Sequence, residues 1–484
     1  MCCVKHFVLL IILQQYTVNG FSIFNLYNGF KYLNNKINSI VPANLPDIHV
    51  KMRWILQELD HFDPKNLLMF NMRYFENVLY WQENGPIFVF LGGESASSPQ
   101  WTRFGIIHEL AKESQGAMYV TEHRYYGESK PKNLTKEDQF KYLSSRQALA
   151  DIAKLIHYLK LLPMYKNSKV VVIGGSYAGN LAAWMKVLYP DLVDAAVASS
   201  APVLAKKDFF EYLEKVTEDY ETYGTHGCSD KIKNIFDRFH QLLQSSEGIK
   251  QLKKEENICD SCDMSVIENQ AVFFEVKTSI FMSNSQYGST KTIKQHCEKL
   301  SDVSYDTKSL TDNSMLPIIY SEKLNCYDYD FNRMIQVMKS NDDLFWIYQT
   351  CTEFGYYQTT NSKAQIFKNI PLEFYIKICT EMFGNDFNET RVDQAVKNTN
   401  KLYGGLNPNV TKVVFSNGNL DPWSTIGVLE GLSYDAPAVV IPRSTHCADL
   451  LPIFEPDNEE LKEARKHIKY LIKKWIGIEE YLTS

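Results

Sequence analysis

No stretch of this 484-residue chain is apolar for long enough to cross a bilayer, which takes about 20 residues. A basic excess is also missing: Lys plus Arg is 51 against 57 for Asp plus Glu, a net charge of −6. No electrostatic footprint for nucleic acid follows from that balance. There is no GxGxxG string, no P-loop lysine, no internal repeat and no low-complexity tract. With 45% apolar and 22% charged residues, the chain is neither disordered nor collagen-like. Cysteine is absent from residue 21 to residue 227. What is abundant is aromatic: 29 Tyr and 27 Phe suit a well-packed enzyme with aromatic-lined pockets.

The chain opens with Lys5, then the short apolar run Phe7–Leu13, then small residues at Val18-Asn19-Gly20. Residues 1–20 read as a secretory signal peptide, and cleavage after Gly20 leaves a net charge of −7. Eight cysteines then remain, and seven of them lie between 228 and 379. An even number in an exported chain argues for disulfides, concentrated in one stapled region. Cys259-Asp-Ser-Cys262 has redox spacing, but no thioredoxin-like pattern surrounds it and no second close pair exists for zinc. Structural bridges are expected and no metal. Asn133, Asn388 and Asn409 head glycosylation triplets, which places them on surface loops.

Residues 21–47 are Asn-rich without clear periodicity and read as a lead-in or propeptide. An α/β rhythm then follows. Pro86–Leu91, Ala117–Val120, Lys169–Ile173 and Ala195–Ala198 are short continuous apolar runs, as buried parallel strands require. Between the second and third, Arg146 to Leu162 has helical spacing, which implies a doubly wound, mostly parallel sheet. The rhythm stops near 205 and resumes at Lys412–Phe415 and Ala438–Ile441. A helical, disulfide-bonded cap inserted over 205–375 is the economical reading. It divides an α/β domain into 48–204 and 376–484, closed by a terminal helix over 459–476.

Val170–Ile173 runs into Gly174-Gly175-Ser176-Tyr177-Ala178-Gly179 and then helix-favouring residues. Strand, tight turn and helix are what the nucleophile elbow of α/β-hydrolases needs, with small neighbours around the serine. A serine hydroxyl needs a base, and the order in this fold is Ser, then Asp or Glu, then His. Asp421 and His446 both follow strands, at the same sheet edge as Ser176, where ligands collect. Ser176 is expected to attack, His446 to move the proton and Asp421 to orient the imidazole. His467 is a weaker base candidate and Asp449 a weaker acid candidate. The N–H groups of Tyr177 and Gly93 are the expected oxyanion donors.

Taken together these motifs make the chain similar to the eukaryotic serine peptidases that include lysosomal Pro-X carboxypeptidase, dipeptidyl-peptidase II and thymus-specific serine protease. The matching residues are Gln57–Phe62, Gly85–Phe88, Leu91–Glu94, Glu122–Gly127, Gly174–Gly179, Ser199–Pro202, Cys351–Glu353, Asp421–Trp423 and His446–Leu450. Cys351–Gly355 and Ser176–Gly179 are nearest the thymus-specific branch. The resemblance implies an α/β-hydrolase with a capped active site, the same three residues in the same roles, and no cofactor. It implies bridges Cys228–Cys297, Cys326 with Cys259 or Cys262, and Cys351–Cys379, with Cys447 and the leftover member of the CxxC unassigned. It implies cleavage near proline at one end of a peptide, with Trp423 lining the proline pocket. Asn180 departs from the pattern: an amide stands where Pro-X carboxypeptidase has an apolar Met.

The expected function is a secreted or lysosomal serine exopeptidase acting on peptides, without nucleic acid or stable membrane insertion. A lipase or esterase on the same fold is the second class, and a non-catalytic binding protein the third. Glu353 could hold a substrate amine, but a structural role is favoured. A homodimer is compatible with the sequence and not specified by it.

Overall fold

The computed structural model describes residues 29–40, 49–302, 304–310, 319–321, 323–453 and 458–478. The expected signal peptide, 1–20, lies outside these residues. Among the described residues no helix is long and apolar enough to cross a membrane.

An eight-stranded sheet organises the molecule. Its strands are β1 (Val50–Glu58), β2 (Met69–Asn77), β3 (Ile87–Phe90), β4 (Ala117–Thr121), β5 (Val170–Gly175), β6 (Ala195–Ser199), β11 (Val413–Gly418) and β12 (Ala438–Ile441). Their spatial order is β1-β2-β4-β3-β5-β6-β11-β12. β2 runs antiparallel to both β1 and β4, and every other pairing is parallel. This is the doubly wound α/β-hydrolase sheet. Each apolar run read from the sequence became a strand, and β3, β4, β5, β6 and β11 are buried at every position.

Helix α1 (Gly29–Ile40) precedes the sheet, and α2 (Ile106–Ser114), α3 (Ser145–Leu161) and α4 (Tyr177–Leu188) cross between its strands. α3 packs on α4, while α2 packs on the terminal helix Glu459–Trp475, giving a layer of helices on each side. The terminal helix buries Leu461, Ala464, Ile468, Leu471, Ile472 and Trp475 along one stripe, and its lysines face outward or pair with Glu109 and Glu113.

Two parts of the sheet domain escaped the sequence. β1 and β2 form a long antiparallel pair at the sheet edge. Met52, Trp54 and Leu56 alternate along β1 with their side chains exposed, so the strand lacks a buried-run signature. The lead-in is also not structureless: residues 29–40 are helical and docked. Asn34 donates to Ala96 C=O at 2.8 Å and accepts from the Trp101 indole N–H at 2.7 Å, and Ile37 is fully buried.

The insertion leaves after β6. Its neck is a two-stranded parallel sheet of β7 (Lys206–Asp208) and β10 (Gly355–Tyr357), which joins the outgoing and returning chain. Between them lie α5 (Glu211–Tyr223), α6 (Cys228–Leu242), α7 (Ser246–Glu255), α8 (Ile267–Tyr287) and α9 (Thr290–Leu300). A small hairpin, β8 (Tyr320–Ser321) with β9 (Cys326–Tyr327), and helices Phe331–Lys339 and Asp343–Gln349 follow. The expected boundary between 375 and 376 falls inside one helix, Leu372–Phe383, whose buried Phe374, Tyr375, Ile378 and Cys379 form a single stripe. The sheet is re-entered only at Val413.

Disulfides join Cys228 to Cys297, Cys259 to Cys326, and Cys351 to Cys379. Cys262, one of the two cysteines considered for the bridge to Cys326, is instead a buried thiol, as is Cys447. Cys326 can bond only one member of the CxxC, and it takes Cys259. Cys262 points into apolar surroundings beside Met264, and burial pushes its thiol up to about 12.

Candidate active site

Ser176 stands between the end of β5 and the start of α4, with φ 59° and ψ −133°. A non-glycine residue rarely holds a positive φ. The turn is sharp enough that a Cβ on Gly174 would lie 1.9 Å from Ala178 O, and one on Gly179 would lie 2.7 Å from Ser199 O. The elbow is tied to the next strand by Ser176 N–H, which donates to Ser199 C=O at 2.9 Å. Tyr177 is the first residue of α4, where a backbone N–H has no intrahelical acceptor. Neither its N–H nor that of Gly93 has an acceptor among the described residues.

Asp421 and His446 come together. His446 Nδ1–H donates to Asp421 Oδ2 at 2.8 Å, with both side chains fully buried. Asp421 follows β11 and also accepts from Trp423 N–H at 3.1 Å, which fixes its carboxylate. Burial is the largest single influence and pushes the His446 imidazole down, but the charge and hydrogen bond of Asp421, joined by Cys447, together hold it well above its usual value. His446 Nε2 is buried and has no hydrogen-bond partner among the described residues.

The weaker candidates are occupied elsewhere. Asp449 accepts from Ser199 Oγ at 2.6 Å and from Ser416 Oγ at 2.7 Å, bracing the ends of β6 and β11. His467 lies exposed on the terminal helix and stacks on Tyr470. Glu353 accepts from Ser145 N–H at 3.0 Å and from its hydroxyl at 2.6 Å. It thereby caps the positive end of α3, as the structural reading expects. Burial pushes its carboxyl up to about 7 against those hydrogen bonds.

Trp423 and Asn180 meet at Tyr356. The Trp423 indole stands edge-on to Tyr356 at 5.3 Å and packs on Phe209 and Tyr212. Asn180 Nδ2 donates to Pro202 C=O at 3.1 Å and to Tyr356 Oη at 3.3 Å, while its Oδ1 is buried with no partner among the described residues.

The serine carboxypeptidase S28 family matches residues 57–468. The chain belongs to this family. Mouse thymus-specific serine protease is 32% identical over 450 residues, covering 88% of this chain and 87% of that one. The human thymus-specific serine protease is 31% identical over 452 residues, covering 88% and 87%. Human lysosomal Pro-X carboxypeptidase is 30% identical over 461 residues, covering 90% of each. The protein is a serine-type exopeptidase of the S28 family.

Two S28 motif residues near the site are structural. Glu122 accepts from Arg73 Nε at 3.1 Å, Ser97 N–H at 3.1 Å and Ser129 Oγ at 2.8 Å. Arg124 is fully buried and bidentate on Asp151, at 2.6 and 2.8 Å. A network behind the elbow was not anticipated. Tyr177 Oη is bonded by His123 Nε2 and Gln349 Nε2, each at 3.0 Å, and Gln349 Oε1 accepts from Tyr126 Oη at 2.6 Å. Burial pushes the His123 imidazole down to about 4. Gln349 sits two residues before the Cys351 motif, and that proximity was the available signal. For Gln286 and Tyr287, which approach His446 from the cap, the sequence offered none.

Proposed function

We propose that this S28 peptidase cleaves peptides through an acyl-enzyme formed on Ser176. The observation that carries the reading is the buried 2.8 Å pair of Asp421 and His446, at the sheet edge that also holds the strained Ser176 elbow. His446 Nε2 takes the Ser176 hydroxyl proton as Oγ attacks the scissile carbonyl. Asp421 keeps the imidazole in the tautomer that accepts at Nε2, and stabilises the imidazolium as it forms. The vacant N–H groups of Tyr177 and Gly93 stabilise the tetrahedral oxyanion. His446 then gives its proton to the leaving amine. Water, deprotonated by the same base, releases the acid.

Trp423 offers an indole surface to a proline ring at the cleaved bond, as the name of Pro-X carboxypeptidase suggests for that relative. Asn180 beside it makes this pocket more polar and lowers the expected selectivity. Export to the lysosome or the cell exterior fits the bridges, because disulfides persist there. Asn133, Asn388 and Asn409 all have exposed side chains, which supports their glycosylation.

The test is a panel of Pro-X, Ala-X and X-Pro peptides at pH about 5 and about 7, with Ser176→Ala alongside. The expected outcome is release of terminal residues that falls about 10⁴-fold or more in the variant. Equal cleavage of matched Pro-X and Ala-X peptides removes the proline preference. Cleavage that survives in Ser176→Ala removes the mechanism.

A further inference from the structure

The last turn of α8 brings the cap onto the histidine loop. His446 N–H donates to Gln286 C=O at 2.9 Å. The Gln286 side chain is fully buried and held at both ends of its amide. Its Oε1 accepts from Tyr212 Oη at 2.6 Å, and its Nε2 donates to Tyr287 Oη at 2.5 Å. The Tyr287 ring stands nearly perpendicular to the His446 imidazole, at 84° with centroids 6.0 Å apart. Tyr212 stands edge-on to Trp423, 5.8 Å away. One cap residue thus contacts the His446 backbone and two tyrosines, one packed on the imidazole and the other on the pocket wall.

A base that accepts at Nε2 while Nδ1 stays on Asp421 needs a fixed ring plane. Asp421 supplies one fixed point. The loop itself is irregular, and Cys447 next to the histidine has φ 54°. The second fixed point comes from the cap, through the backbone bond to Gln286 and the ring contact of Tyr287. Misplacing a reacting group by an ångström can cost about 100-fold in rate.

We propose that Gln286 is a positioning residue for His446, so that seating of the cap sets the orientation of the base. The inference rests on the Ser176–Asp421–His446 reading. Gln286→Leu removes both side-chain hydrogen bonds. It is expected to lower kcat about 10- to 100-fold with KM changed less than about twofold. Labelling of Ser176 by a small fluorophosphonate, which needs the base but not the peptide pocket, is expected to slow by a similar factor. Gln286→Glu separates positioning from packing. Its protonated carboxyl can accept from Tyr212 and donate to Tyr287 as the amide does. Activity should therefore approach that of the wild type at low pH and fall away as the carboxyl ionises.

Unchanged kcat and labelling rate in folded Gln286→Leu would overturn the proposal. If that variant does not fold, a Gln286→Glu pH profile with the wild-type shape overturns it instead. Absence of Ser176-dependent labelling in the wild type would strike the parent mechanism and not the positioning role.

Discussion

Among the described residues no disulfide touches the eight-stranded sheet, whereas the cap and the returning chain carry all three bridges. The sheet has little need of them. Its central strands are buried at every position, and the helices beside them add Leu149, Leu155, Ile156, Leu181 and Trp184 to one continuous core. Cap residues such as Phe236, Phe274 and Phe281 join the same core, but several cap helices have narrower apolar faces, such as α6 and α9, which bury four residues each. α8, by contrast, is enclosed along most of its length. Where apolar burial is thin, cross-links compensate by restricting the unfolded chain. One molecule therefore has a region stabilised by what it buries and another stabilised also by what it is tied to.

The largest test of that contrast is Trp184→Ala. The indole is fully buried and stacks on Tyr403 with centroids 3.9 Å apart, joining α4 to helix Glu389–Tyr403. Removal is expected to cost about 3–5 kcal/mol, read as a fall in the global melting temperature. Next comes the pair Cys228→Ser with Cys297→Ser, expected to cost about 2–4 kcal/mol. Hydrogen exchange should place that loss in α5, α6 and α9, with β3–β6 still protected. Equal loss of protection in the sheet would show that the two regions melt as one.

The smallest test is Glu353→Gln, where the returning chain caps α3. Burial pushes the Glu353 carboxyl up to about 7 from 4.5, so the folded state holds that proton more tightly than the unfolded chain. The stabilisation is fully present below about pH 4.5 and is lost as pH rises through about 7. The neutral amide should flatten the dependence of Tm on pH across that window. Asp219, also pushed up to about 7 by burial, keeps part of the slope.

The legible part of the fold was what local pattern dictates. Buried strands are continuous apolar runs, and the elbow announces itself because only small residues fit around Ser176. β1 failed that test because Met52, Trp54 and Leu56 face outward on an edge strand and its alternation is mixed with charge. α1 failed because its Asn residues look like loop until Trp101 and Ala96 supply partners more than 60 residues away. Asp421 and His446 were found by order and position after strands. The network of Tyr126, Gln349, His123 and Tyr177 was not, since each contact spans separations that no local spacing encodes. The choice between Cys259 and Cys262 stayed open because an even count does not say which cysteines meet.

The length of α8 then acquires a meaning of its own. Its 21 residues span about 30 Å, and they end at the carbonyl that receives His446 N–H. A helix of that kind is a ruler. Inserting or deleting one residue moves its end by about 1.5 Å and turns it by about 100°, swinging Gln286 away from the loop it serves. Anyone exchanging this cap for another to alter selectivity must therefore conserve helical phase before sequence. A cap whose helix is longer by about one turn keeps the phase but carries that end about 5.4 Å past the loop, so length and phase must be conserved together.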